Sequence, residues 1–180
     1  MTCIVALETA RGVWIGADRA ASDDFTTSTM GLPKVYRNGP LTLADCGDFR
    51  TGQLLQYALE VPVDTIDDDL DRWVAVDLAT AIRQAFKRNG WQRKDKGVAD
   101  ATSLLMAVRG RCYEIQSDYS FLRNASGEYA IGSGTYHALG SLHSTRDWKK
   151  PKDRIMAALE AAAEHVVSVS GPFDVFRADD

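Results

Sequence analysis

The sequence predicts an α+β protein: a four-layer αββα sandwich of two antiparallel sheets packed face to face and flanked by helices. Three observations predict it. Short apolar runs of strand length come in pairs joined by glycine turns. Amphipathic stretches with apolar steps of three and four come in two groups. The two kinds are segregated along the chain, which favours α+β over a parallel βαβ sheet, and stacked sheets with outer helix pairs bury every amphipathic face.

The opening residues 3–8 and 13–17 read as two strands turned at Arg11-Gly12. A chain end tied into a sheet is unusual, since termini tend to fray, and it hints that the terminus itself has a task. Residues 23–29 are polar and read as loop, and a second hairpin follows over 34–37 and 41–46, turned at Asn38-Gly39. Asp48 is placed to cap a helix carrying Leu54, Leu55, Ala58 and Leu59 on one face, ended by Pro62. Val74, Leu78, Ile82, Ala85 and Phe86 mark a second helix, stopped at Asn89-Gly90. Strands return over 102–108 and 111–115, hinged at Arg109-Gly110, and a short one ends at Ile131 before Gly132-Ser133-Gly134. A helix is expected through Leu142, and another opens at Pro151 with Ile155, Met156, Leu159, Ala162 and Ala163 facing inward. A strand over 172–176 closes the chain. Residues 1–180 read as a single domain, without repeats, low-complexity segments or a dividing linker.

Composition narrows the function classes. No apolar run approaches the length of a membrane span, and no basic stretch leads into an apolar core as in a signal peptide. Three cysteines at irregular spacing do not read as a disulfide framework, and the expectation is a cytoplasmic protein. A net charge of −4 gives no broad attraction for nucleic acid. The basic cluster Lys87, Arg88, Arg93, Lys94, Lys96 and the acidic run Asp67, Asp68, Asp69, Asp71 read as solvated helix-end or loop charges. His137, His143 and His165 lack metal-ligand spacing, so no metal or other cofactor is expected, and Gly132-Ser133-Gly134 lacks the third glycine of a dinucleotide fingerprint.

The candidate for chemistry is Thr2. Removal of Met1 would leave a threonine with a hydroxyl nucleophile and a free amine on one residue. An α-amino group titrates near about 8, so a sizeable fraction is neutral at working pH and can take the hydroxyl proton. With Met1 attached the same nitrogen is an amide, and the residue should be inert. Cys3 reads as a small strand residue rather than a rival nucleophile.

The run Thr2-Cys3-Ile4-Val5-Ala6, then Gly12-Val13-Trp14-Ile15-Gly16-Ala17-Asp18, then Lys34-Val35, resembles the proteasome β-subunits and the HslV peptidase, which are N-terminal-nucleophile hydrolases. Ala130-Ile131-Gly132-Ser133-Gly134 is similar to the family's Gly-Ser-Gly segment, and 157–163 to its alanine-rich last helix. The resemblance implies the αββα fold and a threonine peptidase: Thr2 as nucleophile, Lys34 as the cation beside it, Asp18 as the counter-charge and Ser133 as the residue orienting the amine. The Gly47 backbone N–H would donate to the oxyanion. It also implies substrate binding at Ser22, where the family uses threonine, with Leu32 and Asp45 as further substrate-binding positions. Asp45 would floor the pocket beside the cut bond and favour a basic side chain. By resemblance the chain would form a homo-oligomeric ring acting on peptides or unfolded proteins, with an AAA+ ATPase unfoldase as partner, and with no nucleic-acid or membrane partner.

Departures point toward the HslV side. Arg19 stands one position before the arginine of many proteasome subunits, where this chain has Ala20. The family's second acidic residue maps onto Glu164, and the serine three further on appears as Val167. Two alternatives stay open: a non-catalytic ring or assembly subunit of the same fold, and an amidase of this type acting on small amides.

Overall fold

A computed structural model describes residues 2–23, 25–91 and 103–178. The chain opens with the hairpin β1 (Cys3–Thr9) and β2 (Gly12–Asp18), then a small ribbon, β3 (Ala20–Ser22) with β4 (Thr27–Thr29), then a second hairpin, β5 (Val35–Asn38) and β6 (Leu41–Asp45). Helix α1 (Phe49–Tyr57), a 3-10 turn at Val63–Thr65, α2 (Leu70–Trp73), a π-helical turn at Val74–Leu78 and α3 (Ala79–Arg88) follow. The second half contains β7 (Leu104–Val108), β8 (Arg111–Ile115), β9 (Phe121–Leu122), β10 (Glu128–Gly132), α4 (Thr135–Ser144), α5 (Pro151–His165) and β11 (Phe173–Arg177).

Two antiparallel sheets form, in the orders β10-β1-β2-β11 and β5-β6-β7-β8-β9. Strand alternation sorts the side chains into layers. Ile4, Ala6, Val13, Ile15 and Ala17 of the first sheet meet Ala44, Leu105, Ala107 and Cys112 of the second, forming the layer between the sheets. Cys3, Val5 and Leu7 point the other way, onto Ala138, Leu142, Ile155, Leu159 and Ala162 of α4 and α5. Leu43, Met106 and Tyr113 pack outward against Leu54, Leu55, Trp73, Leu78 and Ile82. The αββα sandwich is therefore observed as expected. Each buried large side chain in these layers contributes about 1.5–3 kcal/mol of transfer free energy.

Several boundaries differ from the sequence expectation. The first turn falls at Ala10 and Arg11, with Gly12 already in β2. Residues 23–29 are not all loop: β4 pairs with β3 through backbone alone, and Thr27, Ser28 and Thr29 are all exposed. An all-polar strand shows no apolar alternation to read. Helix α1 stops before Pro62 because Asn38 Nδ2 donates to the carbonyls of Leu55 (2.8 Å) and Leu59 (2.9 Å), satisfying oxygens that another turn would have used. In α5, Met156 and Ala163 are only half-buried, and Ala158 takes their place in the core. Thr102, Arg93, Lys94 and Lys96 lie outside the described residues. Lys87 and Arg88 sit in the last turn of α3, where cations favour the helix dipole.

Candidate active site

The parity of β1 decides where Thr2 points. Thr2 shares the side of Ile4 and Ala6, between the sheets, and at the open end of that layer it lines a cleft of about 540 Å³. Gly47, Cys46, Ile131 and Ser133 flank it there. Thr2 is only 7% exposed, and it borders this cleft.

Behind the threonine lies a charged pair taken wholly out of water. Asp18, the last residue of β2, has no exposed surface. Its Oδ1 accepts the Cys3 N–H at 2.8 Å and its Oδ2 the Ala20 N–H at 2.9 Å. Lys34 Nζ reaches both oxygens at 3.0 Å and donates to Thr2 Oγ1 at 2.9 Å. A buried ion pair of this kind is tolerable only when the remaining lone pairs are also satisfied, and here two backbone amides do so. Burial pulls the Lys34 ammonium below its ordinary pKa, while attraction to Asp18 and the hydrogen bond to it act in the opposite direction. The Cys3 thiol is pushed up to about 12, chiefly by burial and then by Asp18, which makes it a poor nucleophile.

The Gly-Ser-Gly segment closes the other side, and its glycines have a steric cause. Gly132 pairs with Cys3 at φ +94°, and a Cβ there would lie 2.1 Å from the Thr2 carbonyl oxygen. A Cβ on Gly134 would fall 2.6 Å from Cys3 Sγ. Between them Ser133 Oγ donates to the Thr2 carbonyl at 3.2 Å and stands 3.1 Å from Ser168 Oγ.

Solved structures decide what this frame is. BPH from Thiobacillus denitrificans, solved in complex with epoxomicin, superposes with a TM-score of 0.79 at 18% identity, covering 97% of each chain. Eukaryotic HslV from Trypanosoma brucei gives 0.74 at 20% identity over 97% of this chain and 98% of that one. The chain has the proteasome-type, HslV-like N-terminal-nucleophile hydrolase fold. Anbu from Yersinia bercovieri shares it with a TM-score of 0.69 at 18% identity, over 97% of this chain and 80% of its own. No protein-family model and no curated protein matches the sequence.

Within this Ntn fold, Thr2, Asp18, Lys34, Ser133 and Gly47 converge as the sequence places them, Gly47 with φ +134° on the cleft wall. Ser22, Leu32 and Asp45 do not line the cleft. Leu32 is 67% exposed on the approach to β5, and the Ser22 hydroxyl is buried without a hydrogen-bond partner among the described residues. Asp45, expected to floor the substrate pocket, is placed beside α1. It lies on the helix-facing side of β6, next to Leu43 in the alternation but turned into the α1 contact, where Tyr36 OH donates to it at 2.8 Å and Gly52 leaves it room. Burial raises its carboxyl to about 6, against the Tyr36 hydrogen bond.

The acidic neighbour is also corrected. Glu164 is exposed on α5 and Val167 is 97% exposed, whereas buried Ser168 is the residue that meets Ser133. The helix ends at His165, so the chain leaves it with 168 rather than 167 turned inward. Sequence spacing carries no signal for that phase change. Glu114 on the cleft wall was missed as well, though the alternation of β8 gives it the side of Cys112, between the sheets. Among the described residues, no group of three or more His, Cys, Asp or Glu side chains is placed to hold a metal ion. No described helix is long and apolar enough to cross a membrane.

Proposed function

We propose that the chain is a threonine peptidase subunit that cleaves peptide bonds with Thr2 once Met1 has been removed. The single observation that carries this is the Lys34 ammonium 2.9 Å from Thr2 Oγ1 while bound to both Asp18 oxygens. A fixed cation at that hydroxyl stabilises the alkoxide as it forms and keeps the nearby amine from holding its proton too tightly.

The steps follow from these positions. The free Thr2 amine takes the proton of its own hydroxyl, directly or through water, and Oγ1 attacks the peptide carbonyl. The tetrahedral oxyanion is met by the Gly47 N–H, on a glycine whose φ of +134° suits close approach of backbone to substrate. Collapse expels the leaving amine, which receives the proton from the Thr2 amine, and leaves an ester on Oγ1. Water, deprotonated by the same amine, then hydrolyses the ester and restores the threonine. Ser133, backed by Ser168, holds the Thr2 main chain in register. Ser22 and Leu32 are the proposed contacts to the substrate backbone on the approach to Thr2.

Support from relatives is at the level of fold: the neighbours include an HslV and a BPH holding epoxomicin. On that basis the active form is a homo-oligomeric ring acting on peptides or unfolded proteins, with an AAA+ ATPase unfoldase as partner. The test is cleavage of internally quenched peptides by processed protein. Wild type should cleave, Thr2→Ala should lose at least about a thousandfold in kcat/KM, and Thr2→Ser should retain partial activity. Turnover of small amides without peptide cleavage, or Thr2→Ala equal to wild type, contradicts the proposal.

A further inference from the structure

We propose, building on the peptidase reading, that Glu114 makes the site selective for substrates with a lysine or arginine side chain next to the cut bond. The cleft that Thr2 lines is also lined by Glu114, which is only partly buried. It stands on β8 opposite Leu105, on the same side as Cys112, so its side chain enters the gap between the sheets from the sheet opposite Thr2.

The charge balance of the site identifies the ligand. Lys34 is neutralised by Asp18, and both lie behind Thr2, buried. None of the described residues lining the cleft is basic. Gln116 Nε2 donates to Glu114 Oε1 at 2.7 Å, which fixes the carboxylate, while the described residues give Oε2 no donor. Among the described residues the cleft therefore presents one oriented carboxylate oxygen and one negative charge that no basic lining residue offsets, in the same cleft as the nucleophile. A cationic side chain is the chemistry that completes it, through a charge-assisted hydrogen bond. An acidic side chain would meet like charge in a site partly screened from water. A hydrogen bond involving a charged group changes an equilibrium by about one to two powers of ten. The basic preference expected of Asp45 is thereby assigned to Glu114, the carboxylate that lines the Thr2 cleft.

The experiment compares internally quenched peptides that carry lysine, norleucine or glutamate at each position flanking the cut bond. At one flanking position, wild type should prefer lysine to norleucine by about ten- to a hundredfold in kcat/KM. Glu114→Gln should bring that ratio close to one, Glu114→Asp should keep part of it, and Glu114→Lys should turn it toward glutamate. In wild type alone, raising salt from about 0.05 M to about 0.5 M should shrink the ratio, which keeps the idea open to refutation even if variants misfold. Cleavage with equal lysine and norleucine rates, or a preference untouched by Glu114→Gln, overturns the role of Glu114 and leaves the peptidase reading standing. No cleavage of any peptide and no labelling of Thr2 by an epoxyketone overturns the peptidase reading, and this inference with it.

Discussion

Asp18 and Lys34 show how much one residue can decide. The carboxylate has no exposed surface and accepts from two backbone amides and Lys34, so removing its charge leaves a buried ammonium without the Asp18 counter-charge. Asp18→Asn is expected to cost about 3–5 kcal/mol of stability, seen as a lower melting midpoint, and to slow acylation of Thr2 by at least about a hundredfold. A variant with wild-type acylation would remove Lys34 from the account. Asp45 gives a second, pH-dependent expectation. Its carboxyl titrates near 6 in the fold against 3.8 as its ordinary value, so the folded chain holds a proton that the unfolded chain has released. Stability from this group is therefore full below about pH 4 and is lost as pH rises through 6, by at most about 3 kcal/mol. Asp45→Asn, which keeps an acceptor for Tyr36, should flatten that part of the stability profile in denaturant titrations from pH 4 to 7. An unchanged slope would contradict it.

At the scale of elements, much of the architecture is legible because alternation and turn chemistry are strong signals. The paired runs around Gly12 and Gly39, the Asp48 cap that accepts the Thr51 N–H, and Pro151 in the first turn of α5 all appear where their chemistry puts them. The cluster of Thr2, Asp18 and Lys34 is legible through the spacing that resembles the proteasome and HslV subunits, and it falls just before β1, at the end of β2 and just before β5. What was not legible depends on contacts between elements. Asn38 decides where α1 ends, the exit from α5 decides that Ser168 and not Val167 meets Ser133, and Tyr36 with Gly52 draws Asp45 away from the cleft. The Gly-Ser-Gly segment offers a comparison between two glycines. Gly132→Ala would drive a Cβ into the Thr2 carbonyl at positive φ, whereas Gly39→Ala, also at positive φ, meets nothing within 4 Å. The first should cost about 3 kcal/mol or more and the second about 1–2, compared by chemical denaturation. Equal costs would mean that the segment does not pin the terminus.

For the whole molecule, the proposed ring can be set against the exposed apolar side chains. Tyr136 on α4 is 87% exposed, Val167 just beyond α5 is 97% exposed and Phe25 in the β3–β4 ribbon is 95% exposed. Apolar side chains left in water at several places suit a chain that buries them against copies of itself. Sedimentation velocity should find a ring-sized species, and Tyr136→Lys with Val167→Lys should shift it toward smaller forms. A wild-type monomer at working concentration would contradict the ring.

The central claim is that Thr2 is a live N-terminal nucleophile, and intact-mass spectrometry before and after an epoxyketone probe tests it most directly. The account predicts loss of the Met1 mass and addition of one probe per chain, with no addition to Thr2→Ala. Retained Met1 with no adduct would contradict it and leave a proteasome-type fold without threonine chemistry.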